Sequence, residues 1–327
     1  MNWAKGYTSK YVARLVDRAS FNDMEEIPII SGSISRDITS NLLESASIET
    51  HQRIDEQWVR IYMIATQNGG SERIPLFTGL ASTPARDING VQNKYSVDLY
   101  SVLKPAADWM VPLGYYLPSG VQGETLIKNL FDKVGIRMQS QLGSGVLTAP
   151  IVAEAGETYL SLAMQVLKAI GWYMYITGDG QVQMKPYETE PVASFDTDND
   201  ALEPEIRDSK DMFSCPNVLR VTAGNYTTTV KDENSIRDRG REVWADEKID
   251  LISGTSLTAY AMNRLTELQS PSRELEYTRR FHPDVRPGDA IRITCPRQQI
   301  SGIFRVQNQK IDLGYAARTE EVAHESS

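Results

Sequence analysis

The residues with which this chain could do chemistry are three histidines, two cysteines, an acidic run and a group of clustered aromatics. His51, His282 and His324 stand apart from one another. None has a second His, Cys or carboxylate at metal-ligand spacing, and a general base needs convergent partners. They read as surface or turn histidines. Asp196-Thr197-Asp198-Asn199-Asp200 carries the carboxylate alternation that opens a calcium loop. Its sixth position is Ala201, where the sharp turn needs Gly, and its twelfth is Arg207, where a bidentate Glu is needed. An EF-hand is excluded, and a solvated linker or an irregular cation site remains. Gly143-Ser144-Gly145 lacks the nucleophile-elbow pattern, and no phosphate-cradling or dinucleotide-binding glycine pattern is present. Glycoside hydrolysis depends on the separation of two carboxylates in space, and nothing in the sequence singles out a pair among 43 acidic residues. No catalytic residue, cofactor site or metal ligand is assigned, and no binding residue is identified.

Trp172, Tyr173 and Tyr175 could stack on a sugar or a base. Alternating aromatics on a hairpin covered by a helix are more often core and cross-strand pairs. Arg279, Arg280, Arg286 and Arg292 are spread over strands and turns, which suits a solvated face or a subunit contact better than a nucleic-acid groove. Net charge is −9 with no long block of one sign, which disfavours phosphate binding by bulk charge. Cys215 and Cys295 each precede proline, and reduced, buried thiols are expected of a chain made in the cytoplasm. The first residues lack the apolar segment of a secretory signal, and no run of about 18 apolar residues offers a membrane span. Asn225-Tyr226-Thr227 is a formal glycosylation sequon, idle in that compartment.

The elements that would position these residues are mainly strands. At 327 residues the chain exceeds the size of a single core, so two or more domains are expected. Tyr11–Val16 and Trp58–Ile64 are β-branched and aromatic, and Asn68-Gly69-Gly70-Ser71 ends the second run with a turn. Tyr95, Val97 and Leu99 alternate with polar residues, and Gly79 suggests a bulge or a close backbone approach. After Lys104-Pro105 the period changes. Gly123-Glu124-Thr125 and Gly156-Glu157-Thr158 each open a helical stripe, with Thr as the expected cap. Gly171 ends the second stripe, and Trp172–Ile176 with Gln181–Lys185 form a hairpin around Thr177-Gly178-Asp179-Gly180. Pro191–Pro216 reads as an acidic connector, and Lys231–Gly240 as an exposed loop. Ser256 caps a third helix that Pro271 stops. Strands return at Leu275–Phe281, Asp289–Thr294 and Ile303–Leu313. Glu320–Ser327, with His324, reads as a polar tail that frays.

The order of these pieces resembles the baseplate or tail hub proteins of tailed phages and contractile injection machines. The resemblance is carried by Tyr115-Tyr116-Leu117-Pro118, by Gly156-Glu157-Thr158-Tyr159-Leu160, and by Ala169-Ile170-Gly171-Trp172 with its hairpin through Tyr187. Pro216-Asn217-Val218-Leu219-Arg220-Val221, His282-Pro283-Asp284-Val285-Arg286-Pro287-Gly288-Asp289 and Ser301-Gly302-Ile303-Phe304-Arg305-Val306 complete it. It spans nearly the whole chain by order of short phrases.

The resemblance implies a mainly β fold with α+β insertions: two tail-tube-like β-barrels, a small α+β domain and a helical insertion. The first barrel would be 1–103, the α+β domain 104–190, and the second barrel 191–230 with 275–322. The insertion would be 231–274 and the tail 323–327. It implies a homotrimeric ring, non-catalytic, in the virion tail tip or baseplate, assembled in the host bacterial cytoplasm and lining the DNA channel. Implied partners are further copies of the chain, the tail tube or distal tail protein, the tape measure protein, and tip or fibre proteins. Genomic DNA would be met only in transit, and no stable membrane insertion is expected. Many such hubs continue into a cell-wall hydrolase; the second proposed barrel here is followed by only a few residues, so lytic activity is not carried over. Two other readings are a receptor- or carbohydrate-binding tail protein using the aromatic hairpin, and a tail-associated peptidoglycan hydrolase.

Overall fold

The structure, a computed structural model, describes the chain except residues 4, 90–91, 140–142, 144, 197–201, 225, 250–255, 270–272, 315–316 and 327, and the side chains of 89, 92 and 93. Thr197–Asp200 of the acidic run, Ala201, Ser144, Asn225 and Pro271 therefore lie outside the described residues. The chain is mainly β with few helices, in line with the expected class.

Eight strands occupy the first hundred described residues. They are β1 (Thr8–Val16), β2 (Asp23–Pro28), β3 (Ser31–Asp37), β4 (Glu44–Thr50), β5 (Trp58–Gln67), β6 (Gly70–Ala81), β7 (Ala85–Asn89) and β8 (Gln92–Ser101). Alternation drives the clearest of them: Val59, Ile61, Met63 and Ala65 of β5 are fully buried. Asn68 and Gly69, both at positive φ, make the two-residue turn into β6. A Cβ on Gly79 would stand 2.2 Å from the Tyr100 carbonyl oxygen, so its role is the close backbone approach. The bulge falls earlier, where Leu76 has no counterpart between Ile61 and Tyr62. Strands β3 and β4 are rich in Ser and Glu and carry no clear apolar signal, yet both are fully paired.

The central block contains α1 (Lys104–Asp108), β9 (Tyr116–Leu117), α2 (Gly123–Lys133), β10 (Ile151–Val152), α3 (Tyr159–Ile170), β11 (Trp172–Ile176) and β12 (Val182–Pro186). Thr158 caps α3 in a reciprocal box with Ser161, and Gly171 ends it in the left-handed conformation. The other Gly-Glu-Thr works differently, which corrects the capping expectation. Gln122 is the N-cap of α2 and gives no side-chain bond. Gly123 is needed for packing instead, since a Cβ there would meet Ile170 Cδ1 at 2.7 Å. The two helices cover one face of the β11–β12 hairpin, burying Met174, Ile176, Val182 and Met184 with Leu130, Phe131, Leu162 and Val166.

The acidic connector contains two strands, β13 (Ala193–Asp196) and β14 (Leu202–Ser209). The expectation of little regular structure fails because pairing, not apolar content, holds them; β13 runs parallel to a later strand through Ala193–Asp196. Beyond them come β15 (Val218–Ala223), β16 (Tyr226–Lys231), α4 (Glu233–Arg239), β17 (Trp244–Ile249), α5 (Leu257–Leu268), β18 (Glu274–Arg280), β19 (Ala290–Cys295), β20 (Ile300–Asp312) and β21 (Arg318–Glu325). The expected polar tail is thus β21. Thr319, Glu321 and Ala323 point inward and are buried, so its polar composition does not make it fray.

Two compact units result, 1–206 with 276–326 and 207–275. The first holds a sheet whose path runs β14-β18-β21-β20-β3-β4-β8-β6-β5-β1-β2, with β19 and β13 added at β20 and β7 at β8. Strand β20 pairs with β3 from Asn308↔Asp37 to Asp312↔Ser33, so the N-terminal strands and the C-terminal strands share one sheet. Their cores merge too: Phe281, Ile311, Leu313 and Ala317 pack with Ile34, Ile48 and Leu76.

The second unit pairs β15 with β16 antiparallel and with β17 parallel. Residues 218–230, expected in the second barrel, therefore belong with the insertion, because Val218–Ala223 finds its hydrogen-bond partners at Trp244–Ile249. Helix α5, capped by Ser256, packs Ala261 and Leu265 on Leu219, Val221 and Val230. The expected loop after Lys231 is helix α4, capped by the Asp232 carboxylate. Asn217 is fully buried, accepting from the Val243 amide and donating to the Arg241 carbonyl.

A row of polar side chains crosses five neighbouring strands of the large sheet. Glu44 lies opposite Arg36, Arg36 opposite Gln309, and Gln309 opposite Glu321. Arg36 donates to Gln309 at 2.7 Å, Gln309 donates to Glu321 at 2.6 Å, and Arg279 makes two bonds to the same carboxylate at 2.7 and 2.5 Å. Both members of the Arg279–Glu321 pair have side chains sealed from solvent. Removing one partner leaves an uncompensated buried charge. Arg279→Met is expected to cost about 3–5 kcal/mol in denaturant unfolding, whereas exposed Arg292→Met should stay within about 0.5 kcal/mol. Equal effects of the two substitutions would contradict the pairing.

Candidate functional site

The residues first considered for chemistry are not brought together. His51 is exposed, and His324 sits on β21 opposite Arg305. His282 packs edge-on against Phe195, and burial with the nearby Arg279 lowers its pKa. Both cysteines are buried thiols. Among the described residues no cluster of three or more His, Cys, Asp and Glu is placed to hold a metal ion, and no helix is long and apolar enough to cross a membrane. The arginine group is divided: Arg279 is sealed in the sheet, Arg286 donates to the Ile176 carbonyl, and Arg292 is exposed. A common solvated face is therefore corrected for Arg279 and Arg286.

The structure instead joins the phrases that the sequence left apart. Hairpin β11–β12 alternates, so Met174 and Ile176 face the helices while Tyr173 and Tyr175 face the other way. On that side lies the Pro287-Gly288-Asp289 turn. The Tyr173 hydroxyl donates to Asp289 at 3.1 Å, and burial followed by the Asp289 charge pushes this phenol's pKa up. Gly288 sits at φ +97°, where a Cβ would overlap the Tyr173 ring at 2.2 Å. Arg305 donates to the Gly288 and Glu188 carbonyls and lies over the Tyr187 ring, which stacks on Tyr173. These aromatics are packing residues, and Trp172 is half-buried against the helix core.

The other end of the hairpin is fastened to β6. A Cβ on Gly178 would stand 1.8 Å from the Pro75 carbonyl oxygen, and one on Gly180 would stand 2.9 Å from Thr78. The Thr78 hydroxyl donates to the Gly178 carbonyl at 2.8 Å, and Arg60 donates to Thr78, Asp23 and the Asp179 carbonyl. Gly180 is required both by the turn, at φ +82°, and by the close approach of Thr78 and Phe21. Gly178 is required by the neighbouring strand, a reason that no local pattern carries. The hairpin is thus a strut between β6 and the 286–289 turn.

Where strut, turn and β3–β4 connection meet, Arg36, Leu43, Glu44, Tyr175, Arg286 and Pro287 line a cavity of about 20 Å³. Leu43 is held at φ +60°, an unusual backbone for a branched residue. Burial raises the Glu44 pKa to about 7 against the opposing pull of Arg36 and Arg286, and burial lowers that of Arg36.

Among the described residues, an exposed apolar tract runs along residues 109–117 and 151–159. Residues 109–117 run antiparallel to 151–159, tied by Tyr159 N to Trp109 O, Val111 N to Glu157 O, Ala153 N to Tyr115 O and Gly114 N to Ala153 O. Trp109, Met110, Leu113, Tyr116 and Val152 along this ladder are 57, 70, 78, 57 and 56% exposed. Their exposure on a tied backbone makes this ladder a candidate interaction surface. Tyr116 lies in a phrase that carried the family resemblance, but the sequence did not show that its side chain faces outward.

No family model matches the chain, and no curated protein matches it. Solved structures do. The tail protein from Neisseria meningitidis MC58 superposes with a TM-score of 0.72 at 14% identity, over 98% of this chain and 97% of that one. The 43 kDa tail protein of prophage MuSo2 from Shewanella oneidensis gives 0.69 at 12%, over 97% and 98%. Prophage tail protein gp18 from Listeria monocytogenes EGD-e gives 0.55 at 13%, over 97% and 94%. The chain has the fold of phage tail proteins along nearly its whole length.

Two substitutions test the joint. Gly178→Ala should destabilise by about 2–4 kcal/mol in chemical denaturation, because backbone faces the added methyl. A neutral effect would show that the turn does not rest on Pro75. Glu44→Gln should change the pH dependence. The folded chain keeps a proton on Glu44 that the unfolded chain has released, so this side chain's contribution is fully present below pH 4.5 and is lost as pH rises to about 7. The stability of the parent relative to Glu44→Gln should fall by roughly 3 kcal/mol across that window. A constant difference between pH 4.5 and 7.5 would refute the burial effect.

Proposed function

We propose that this chain is a non-catalytic structural subunit of a phage tail, a hub that forms a homotrimeric ring at the tail tip or baseplate. The superposition on tail proteins over almost the entire chain carries this reading. In it, residues 1–103 form one tail-tube-like barrel and strands β13, β14 and β18–β21 a second. Three subunits then offer six barrels to a six-fold tail tube or distal tail ring. The tape measure protein and tip or fibre proteins are the other partners, and DNA passes through the ring without being held. Head-to-tail contacts close such rings and cover sheet edges.

The exposed ladder of Trp109, Met110, Leu113, Tyr116 and Val152 supports a chain that works in an assembly. The carbohydrate-binding alternative loses its platform, because Trp172 packs on the helices and Tyr173 on the 287–289 turn.

Mass measurement in solution should give a trimer for the parent chain. Met110→Asp with Leu113→Asp should weaken association at least tenfold while circular dichroism and melting temperature stay unchanged, both side chains being exposed. A parent chain that stays monomeric at tail-assembly concentrations would count against the ring. Unchanged association of the double variant would remove the ladder from the interface.

A further inference from the structure

We infer that the groove at the C-terminal end of α3 receives the exposed apolar ladder of a second copy of this chain, so that the ring closes through two different surfaces of the central block. The inference rests on the ring reading above and names its contact. The two surfaces lie at opposite ends of one helix. The ladder meets α3 at its start, where Tyr159 N donates to Trp109 O and Met110 bridges to Thr158. The groove is built on its last turns, lined by Met164, Leu167 and Trp172 together with Ile38, Leu43 and Tyr187. Tyr159 and Lys168 stand about 13 Å apart along the axis. One rigid element thus carries an apolar surface that projects and another that is recessed, and it cannot bring its own ladder into its own groove. A head-to-tail contact uses such a pair of unlike patches, one from each neighbour, whereas a two-fold contact needs one self-complementary patch.

Size and charge suit this occupant. The groove holds about 290 Å³. That is the small end of the roughly 300–1,000 Å³ of ligand clefts, so it fits one or two side chains better than a whole small molecule. Leu113 and Met110 are the most exposed side chains of the ladder, and seating them removes apolar area from water on both surfaces. Lys168 stands at the rim of the groove, exposed on the last turn of α3. Glu154 stands two residues from Val152, exposed on the same side of the ladder. Neither charge has an ion-pair partner among the described residues. In the ring each Glu154 faces a neighbour's Lys168, and each charge gains the partner that it lacks within its own subunit.

Charge reversal and crosslinking of the full chain test the contact. Lys168→Glu and Glu154→Lys should each weaken association about tenfold by sedimentation, and the chain carrying both should return to within about twofold of the parent. Both positions are exposed, so the melting temperature should stay unchanged. A short bismaleimide should link chains carrying Leu113→Cys together with Met164→Cys into covalent dimers and trimers, the two native thiols being buried. Neither single cysteine variant should link to itself. Linkage of Leu113→Cys alone would show a two-fold contact and overturn the inference. A trimeric parent whose association ignores both reversals, and whose double-cysteine chain stays unlinked, would leave the ring standing, overturn this contact and give the groove to another occupant. A parent that stays monomeric would overturn both.

Discussion

The pairing of β20 with β3 is the constraint on which the rest of the large unit depends. It joins strands from the two ends of the chain into one sheet, and everything between them must return to that seam. Hydrogen bonds between strands do not choose a register by themselves, since a slip of one residue turns every side chain to the opposite face. Here the polar row makes the choice. Arg36 meets Gln309, and Gln309 meets Glu321, only when the three strands align as they do. A slip would bury a guanidinium and a carboxylate without partners, at a cost larger than that of losing one apolar contact. The charges contribute specificity more than net stability.

The strut adds a second fastening at a distance from the seam. Its two ends are of different kinds: one is backbone against backbone, where Gly178 meets Pro75, and the other is an aromatic ring against a glycine, where Tyr173 meets Gly288. Neither end tolerates an added methyl group. The helices on its far face hold the hairpin flat through Met174, Ile176, Val182 and Met184. Seam and strut together fix the C-terminal strands against the N-terminal ones at two separated places, which resists rotation about either alone.

Much of this architecture is legible from local pattern. Strands β1, β5 and β8, helix α3 with its Thr158 cap, the hairpin and the Ser256 cap all follow from periodicity and turn chemistry. What stays hidden has a common physical cause. Strands β3, β4, β13, β14 and β21 are rich in Ser, Asp and Glu, and their polar groups are satisfied across the sheet by residues far away in sequence. Glu321 looks like part of a soluble tail until Arg279 is placed beside it. Gly123 and Gly178 are read as a helix opening and a turn, yet each is required by contact with a distant element. The candidate assembly surface was half legible: the Tyr115-Tyr116 phrase drew attention, but the outward direction of Met110 and Leu113 depends on how 109–117 lies along 151–159.

The seam also has a consequence for how the molecule is made. Arg36 and Gln309 are 273 residues apart, so β3 has left the ribosome long before its partner is synthesised. Until then its open edge and the apolar residues behind it stand ready to pair with any nascent strand nearby. Contacts of such high sequence separation also make for slow folding, because the loop must close before the pairing is rewarded. The N-terminal strands therefore wait for their partner strand for as long as translation of the intervening chain takes. A cell making many copies at once would depend on chaperones, or on low local concentration, to keep these half-made sheets from joining one another.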